Sequence, residues 1–184
     1  MTDFTHRIAT IEDLDRLHAL IHRAIDRLQS GFLDPDQVRA SHHVMGLDTQ
    51  LLRDGTYFML FVGDVLVGCG GWSYRKTLFG GDTSLVAREP ETLDPATDPA
   101  RIRAMYTDPD HARRGVGRAI LDLCEHAARS YGFRDAEMMA TLAGEPLYHA
   151  CGYRRLADPI AVASDGIGVP LVRMGKALPI GNMS

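Results

Sequence analysis

The chain is poor in cysteine and lacks any long apolar run. Its three cysteines, Cys69, Cys124 and Cys151, are an odd number at unrelated spacings. This pattern predicts reduced core thiols rather than a disulfide framework. The stretch from Met1 to Arg7 carries no apolar run typical of a signal peptide, and no later stretch approaches membrane-spanning length. We therefore expect a cytoplasmic protein with no membrane partner.

A strong charge of one sign is also missing. The formal net charge is −4 and the pI is about 6.0, so no basic field argues for a nucleic-acid partner. His18 and His22 are four residues apart and His42 adjoins His43. Neither pair is accompanied by a third candidate ligand at a spacing typical of metal sites, so we expect no metal site. With 184 residues, 45% of them hydrophobic, we expect a single domain spanning residues 1–184.

Two familiar phosphate-binding motifs are absent. A Rossmann fingerprint needs a small residue three positions after its second glycine, where this chain has Ile120. A Walker loop needs a Gly-Lys-Ser/Thr sequence after four intervening residues, and the chain has no such lysine. What is present is a strand-like run, Ile102 to Tyr106, then a turn, a basic loop with two glycines, and a helical pattern from Arg118 to Tyr131.

This strand, loop and helix together predict an anion site. The start of a helix presents free backbone N–H groups and the positive end of the helix dipole. Gly115 and Gly117 remove side chains that would keep a phosphate at a distance, and Arg113, Arg114 and Arg118 add positive charge. The alternative is an ordinary helix start with a solvated basic turn.

The loop resembles the acyl-CoA loop of the GNAT superfamily of N-acetyltransferases, which is usually Gln/Arg-x-x-Gly-x-Gly/Ala. Here the six positions read Ala112-Arg113-Arg114-Gly115-Val116-Gly117, so the departure from the family is Ala112. A second segment, from Gly144 to Tyr153, resembles the family pattern Ala-x-x-(Leu/Phe)-Tyr-x-x-x-Gly-Phe. Both motifs have the order and separation that the family shows.

The resemblance implies a fold and a set of site residues. The fold would be α/β, with a mixed central sheet of about seven strands splayed at its centre and helices on both faces. Acetyl-CoA would be the co-substrate. Its diphosphate would bind loop residues 112–118, including Val116. Its pantetheine arm would bind backbone groups of Met105, Tyr106 and Thr107. Tyr148 would protonate the leaving thiolate, and Thr141 occupies the position of a frequent cofactor-binding Asn.

Hydrophobic periodicity predicts the remaining elements. We expect a first strand at residues 6–9, a helix from Thr10 to Leu28, a short helix over 36–45 and a further turn at 48–53. A hairpin should join strands 56–62 and 65–72 through Gly63-Asp64. Strands are also predicted at 134–142, 155–162 and 169–175. The polar stretch 77–99 between them is longer than most connections, so it is either functional or a surface loop.

The general base is not identified by the sequence. The family often places a Glu near position 101, but Arg101 cannot accept a proton. Glu137 is a substitute only if its side chain faces the acceptor. Four aromatic residues could line an acceptor pocket or could equally belong to the core or its rim: Tyr57, Trp72, Tyr74 and Tyr106.

The predicted function is N-acetylation of a primary amine, with a small molecule as the expected acceptor. A protein N-terminus or lysine side chain stays open as the acceptor. The absence of the family Glu and the presence of Ala112 also leave a further alternative, a sensor that binds acyl-CoA without turnover. A module that binds phosphate or nucleic acid is disfavoured by the acidic balance of the chain. Homodimers are common among such proteins, and no feature of the sequence decides the oligomeric state.

Overall fold

The computed structural model describes residues 3–84 and 87–179. Within these ranges the chain forms eight strands and five α-helices. The strands are β1 (Thr5–Ile8), β2 (Tyr57–Val62), β3 (Val65–Ser73), β4 (Ala100–Thr107), β5 (Asp135–Thr141), β6 (Arg154–Arg155), β7 (Ile160–Ser164) and β8 (Ile167–Ala177). The helices are α1 (Leu14–Leu28), α2 (Pro35–Val44), α3 (Thr49–Arg53), α4 (Val116–Tyr131) and α5 (Glu145–Ala150). Short 3₁₀ turns, Ile11–Asp13 and Pro109–His111, precede α1 and the α4 loop.

The strands form one mixed sheet in the order β1-β2-β3-β4-β5-β8-β6, and β7 also pairs with β8. All neighbours are antiparallel except β4 and β5, which are parallel. The predicted mixed α/β fold is therefore confirmed. The predicted strand at 155–162 is wrong in one respect, because it is divided into β6 and β7, which lie end to end along β8. Pro159 lies in the gap and cannot donate to a sheet hydrogen bond.

Helices cover both faces of the sheet because their apolar residues recur every three or four positions. One face of the sheet packs on α4, through Val116, Ile120, Leu121, Cys124 and Ala128. The opposite face packs on α1, through Leu17, Leu20, Ile21 and Ile25. The short helix α2 lies against β7 and β8 on that second face. Successive side chains of β5 point to opposite faces of the sheet, and Ala136, Met138 and Ala140 are the ones buried against α4.

Within residues 3–84 and 87–179, none of the helices combines the length and the apolar character needed to cross a bilayer.

Candidate active site

The centre of the sheet opens between its two parallel strands. β4 and β5 pair only at Ala100 with Ala136 and at Arg101 with Glu137, and beyond this point the strands separate. Six consecutive residues of β4, 102–107, border the cleft that results. Side chains of a strand alternate between faces, so an unbroken run of lining residues means that the edge of β4 faces the cleft. Beyond Arg101 none of the described strands pairs with this edge, so its backbone groups, apart from the Ala104 carbonyl oxygen bonded by Tyr57, can bind a ligand.

A bulge in β4 sets the direction of that edge. Cys69 pairs with Tyr106 and Gly71 pairs with Arg103, so Ala104 and Met105 together oppose the single residue between Cys69 and Gly71. Ala104 has a φ of 49°, a left-handed conformation that is costly for a residue with a side chain. The buried Tyr57 hydroxyl donates a 2.7 Å hydrogen bond to the Ala104 carbonyl oxygen and so stabilises the bulge.

Glycines in β3 let α4 approach the sheet closely beside this bulge. A Cβ atom at Gly68 would lie 2.5 Å from Val116 Cγ1, and one at Gly70 would lie 2.7 Å from Ile120 Cγ2. Side chains at these positions would push α4 away from β4. The close approach therefore places the first turn of α4 at the mouth of the cleft.

The loop before α4 is shaped to bind an anion. Arg113 has a φ of 63° and Gly115 a φ of 86°, after which Val116 begins the helix. Left-handed residues followed by a right-handed helical residue direct successive N–H groups into one concavity. The first turn of α4 adds its own unpaired N–H groups and the positive end of the dipole. A Cβ atom at Gly117 would lie 2.6 Å from Leu147 Cδ2 and 3.6 Å from Thr107 Oγ1, so the glycine keeps this space open.

Acidic residues beside the loop are neutralised by α1. Arg23 donates a hydrogen bond to Asp108 Oδ2, and Arg27 forms a 2.8 Å ion pair with Asp110. Burial alone would raise the pKa of Asp108, but the hydrogen bonds from Arg23 and the Asp110 N–H lower it overall. These ion pairs attach α1 to the turn and engage the two carboxylates beside the loop, and no other described carboxylate forms an ion pair with Arg113, Arg114 or Arg118.

Tyr148 lies in the wall of the cleft. It is 8% exposed, and its ring packs edge-on against Tyr153 with 6.1 Å between the ring centroids. Burial raises the pKa of Tyr148, with a smaller contribution from nearby Tyr106, so the phenol keeps its proton at neutral pH. Across the described residues its hydroxyl has no protein hydrogen-bond partner, which leaves it available to a ligand.

The cleft has a volume of about 790 Å³ and passes from one face of the sheet to the other. Met138, on the α4 face, and Met139, on the opposite face, both line it. All the predicted site residues border it except Arg114: Met105, Tyr106, Thr107, Ala112, Arg113, Gly115, Val116, Gly117, Arg118, Thr141 and Tyr148. Arg114 is exposed beside the loop. The hydroxyl of Thr141 accepts a 3.1 Å hydrogen bond from the Gly144 N–H, which fixes the entry to α5.

Comparison with known proteins agrees with this geometry. The family model described as "Acetyltransferase (GNAT) family" matches residues 19–153. The chain belongs to the GNAT acetyltransferase family. A comparison with curated protein sequences found no match.

Several solved structures share the fold of this GNAT protein at low sequence identity. A GCN5-related N-acetyltransferase from Rhodopseudomonas palustris has a TM-score of 0.71 and 18% identity, with 96% of this chain and 97% of that chain covered. The PaiA N-acetyltransferase from Thermoplasma acidophilum, solved with coenzyme A, has a TM-score of 0.61 and 13% identity, with coverages of 95% and 99%. YncA from Salmonella typhimurium, solved with acetyl-CoA, has a TM-score of 0.61 and 18% identity, with coverages of 98% and 96%.

The residues considered for the general base lie outside the cleft of this GNAT protein. Arg101 donates a 3.0 Å hydrogen bond to Glu137 Oε2, and Arg173 donates to the same oxygen at 2.7 and 3.0 Å. Glu137 is thus held between two guanidinium groups and does not border the cleft. Its use as a substitute base is not supported by this arrangement.

Only one of the four aromatic candidates lies at the cleft. Tyr106 borders it, and its hydroxyl accepts a 2.8 Å hydrogen bond from the Gly46 N–H. Tyr57 is fully buried under the bulge. Trp72 and Tyr74 form an aromatic cluster with Tyr131 near the end of α4, so they belong to the core and its rim.

The far wall of the cleft is fixed by Arg103, a residue that the sequence pattern did not single out. Arg103, 4% exposed, donates to the carbonyl oxygens of Thr77 at 3.2 Å and Gly80 at 2.6 Å, and pairs with buried Asp48 at 3.1 Å. These bonds hold Leu78, Phe79 and Gly80 along the cleft. An arginine between apolar Ile102 and Ala104 was the available signal, because a buried cation needs partners.

The polar stretch 77–99 is therefore anchored rather than free in its described residues, 77–84 and 87–99. Its first part forms the cleft wall, and the Thr77 hydroxyl donates to the Glu89 carbonyl oxygen at 3.0 Å. Its later part returns to the sheet, where Leu93 is buried and its N–H donates to the Tyr74 carbonyl oxygen at 2.8 Å. Metal binding has no comparable support, since the described residues contain no group of three or more Cys, His, Asp or Glu side chains able to hold an ion.

Proposed function

We propose that this GNAT protein is an N-acetyltransferase that moves the acetyl group of acetyl-CoA to a primary amine of a small molecule. The amine attacks the thioester carbonyl directly while both substrates are bound. One observation supports this above all. The cleft links the anion-binding loop, through the gap between β4 and β5, to the opposite face of the sheet, so two substrates can meet from opposite sides.

The loop fits a diphosphate on its own geometry. Gly117 faces the cleft between Thr107 and Leu147, and any side chain there would fill the space above the free N–H groups of α4. Arg113 and Arg118 border the same opening, and neither has a carboxylate partner among the described residues. In this proposal, backbone N–H groups of residues 113–118 donate to the diphosphate and the two arginines add charge. Ala112 contributes backbone only.

The open edge of β4 suits the pantetheine arm and the thioester. An amide-containing chain can add to an exposed strand edge by main-chain hydrogen bonds. Met105, Tyr106 and Thr107 would supply those groups, and the bulge at Ala104 would direct an N–H toward the thioester oxygen. A fixed donor at that oxygen stabilises the charge that develops as the amine attacks. Thr141 borders the cleft on the facing strand, β5.

Tyr148 is proposed as the general acid. Its raised pKa keeps the phenol protonated, and its hydroxyl has no protein partner in the described part of the chain. It can therefore donate its proton to the thiolate as that group leaves. The proton of the amine leaves by another route, because no Asp, Glu or His borders the cleft in residues 3–84 and 87–179. We infer that water carries it to bulk solvent.

The decisive experiment combines binding with turnover. Isothermal titration measures the acetyl-CoA Kd, and thiol release with product mass is then recorded over a panel of primary amines. Amine-stimulated thiol release with an acetylated product supports the transferase. The absence of any acetyl-CoA binding would refute it.

A second candidate is a sensor that binds acyl-CoA without turnover. The absence of a carboxylate from the described cleft wall favours it, since a binding protein needs no base. Tight acetyl-CoA binding with no thiol release for small amines, peptide N-termini or lysine peptides would support the sensor. The same panel shows whether a peptide amine replaces a small molecule as the acceptor.

A further inference from the structure

The part of the cleft on the face of the sheet opposite α4, here called the acceptor end, has an apolar wall. It is formed by α1, the segment after it, the end of α2, the 77–80 segment and β8. Its apolar side chains are Ala24, Leu28, Phe32, Val44, Phe79 and Leu171. Within the described residues, no carboxylate reaches this wall.

Two carboxylates close in sequence to residues of this wall, Asp48 and Asp26, already have protein partners and do not border the cleft. Asp48 lies 3.1 Å from Arg103 and 3.5 Å from Arg88, and it is 3% exposed. Asp26 pairs with His42 at 2.6 Å on the outer side of α1 and α2. A cationic ligand would therefore find no free negative charge here.

The polar groups that do border the acceptor end are positive or neutral. Arg103 is buried here and its guanidinium is paired with Asp48, so it offers no negative charge to a cation. Gln29 borders the cleft at the end of α1, is 7% exposed, and has an amide oxygen with no hydrogen-bond partner in the described ranges. A half-turn of an amide exchanges its oxygen and nitrogen, so Gln29 can offer a neutral acceptor to an N–H group.

Building on the proposed transferase function, we propose that the acceptor is a primary monoamine with an apolar body, bound as the uncharged amine. A neutral amine can donate to Gln29 while its apolar body packs on Leu28, Phe32 and Phe79. An ammonium group would lose its hydration without gaining a counter-ion, and burial of an unpaired charge is strongly unfavourable. The same reasoning excludes a second ammonium on the acceptor. An amine that enters uncharged needs no base before it attacks, and the proton that its nitrogen loses as the amide forms leaves to solvent through water, so no carboxylate is required at either step.

The test uses two amines of equal size. Pentylamine and 1,4-diaminobutane have the same number of heavy atoms, and they differ in having a methyl or an ammonium group at the far end. We expect kcat/KM to be at least about tenfold higher for pentylamine, the smallest discrimination that a pocket of this kind usually provides for one group. Equal rates, or a faster rate with the diamine, would overturn the inference.

A variant that introduces a negative charge makes the test specific to this wall. Phe32 is 52% exposed at the rim, so Phe32→Glu adds a carboxylate without opening the core. Ile11→Glu is the matched control, because Ile11 is 51% exposed and lies away from the cleft. Phe32→Glu should reduce the preference for pentylamine at least fivefold, and Ile11→Glu should leave it unchanged. An unchanged preference in Phe32→Glu would place the acceptor elsewhere.

Failure of the transferase itself is detected separately. If acetyl-CoA binds but neither amine releases thiol, the proposed function fails. Titration of both amines into the CoA-loaded protein then still decides the preference. Tighter binding of pentylamine supports the acceptor class, whereas tighter binding of the diamine, or binding of neither, overturns it.

Discussion

Replacement of Gly117 gives the most direct test of the diphosphate site. A methyl group at this position would lie 2.6 Å from Leu147 Cδ2, the tip of a flexible side chain that can rotate away. Gly117 lies in the first turn of α4, where alanine is favoured over glycine by up to about 1 kcal/mol. Gly117→Ala should therefore fold with nearly unchanged stability, while Gly117→Val places more atoms over the free N–H groups.

The expected loss of affinity follows from the hydrogen bonds that are blocked. One hydrogen bond to a charged group contributes about 1.5–3 kcal/mol, which corresponds to a roughly 10- to 150-fold increase in Kd. We expect Gly117→Ala near the lower end and Gly117→Val at or beyond the upper end. Isothermal titration with acetyl-CoA measures this, and thermal unfolding confirms that the variants are folded.

Gly31 provides the control for a glycine replacement. A Cβ atom there would meet nothing within 4 Å, and Gly31 does not border the cleft. Gly31→Val should leave the acetyl-CoA Kd unchanged. A folded Gly117→Val protein that retains the affinity of the unmodified chain would refute the assignment of the diphosphate to the start of α4.

Three further predictions concern the acid, the cleft wall and the N-terminal turn. Tyr148→Phe should lower kcat by about 100-fold or more with little change in acetyl-CoA Kd, because only proton donation is lost; unchanged kcat would limit Tyr148 to packing. Arg103→Met should lower the free energy of unfolding by about 3 kcal/mol, since buried Asp48 then keeps only Arg88, at 3.5 Å, as a cationic partner, and should raise the acceptor KM more than the acetyl-CoA Kd. Urea unfolding and steady-state kinetics measure both, and unchanged stability would contradict this role of Arg103. Asp13, which accepts 2.5 and 2.7 Å hydrogen bonds from Arg7, has its pKa lowered from 3.8 to about 2, chiefly by those bonds. Because the folded pKa is depressed, the stabilisation is present above about pH 4 and is lost as the pH falls toward 2. Arg7 is half exposed, so Asp13→Asn should cost about 1–2 kcal/mol at pH 7 in urea unfolding and much less near pH 2; a cost that does not change with pH would exclude this ion pair as the cause.

Local patterns were sufficient to predict most of the elements. Periodic apolar residues identified α1 and α4, and the Gly63-Asp64 turn identified the β2–β3 hairpin. The loop before α4 was also predictable, because an anion site at a helix start depends on adjacent residues. The separation of β6 from β7 was missed, although Pro159 was visible in the sequence.

The geometry at the centre of the sheet was not predictable in the same way. Ala104 adopts its left-handed conformation because Tyr57 and the facing strand hold it there, and alanine itself carries no signal for that conformation. Arg103 and Asp48 are separated by 55 residues, so their pairing depends on the tertiary fold. The glycines of β3 were a readable signal, since glycine within a strand often marks a close approach of another element.

The bulge in β4 has a consequence for how this protein tolerates substitution. Its reactive edge is made of main-chain atoms, so Met105 can be exchanged for another side chain of similar size while the N–H and carbonyl groups stay in place. Tyr57 and Gly70 touch no substrate in the proposed arrangement, yet loss of the Tyr57 hydroxyl or a side chain at Gly70 would redirect that edge. The tolerance of β4 to substitution therefore depends on the neighbouring residues that hold the strand in place. A mutational survey should find its most sensitive positions among those supporting residues, which do not themselves contact the reacting groups.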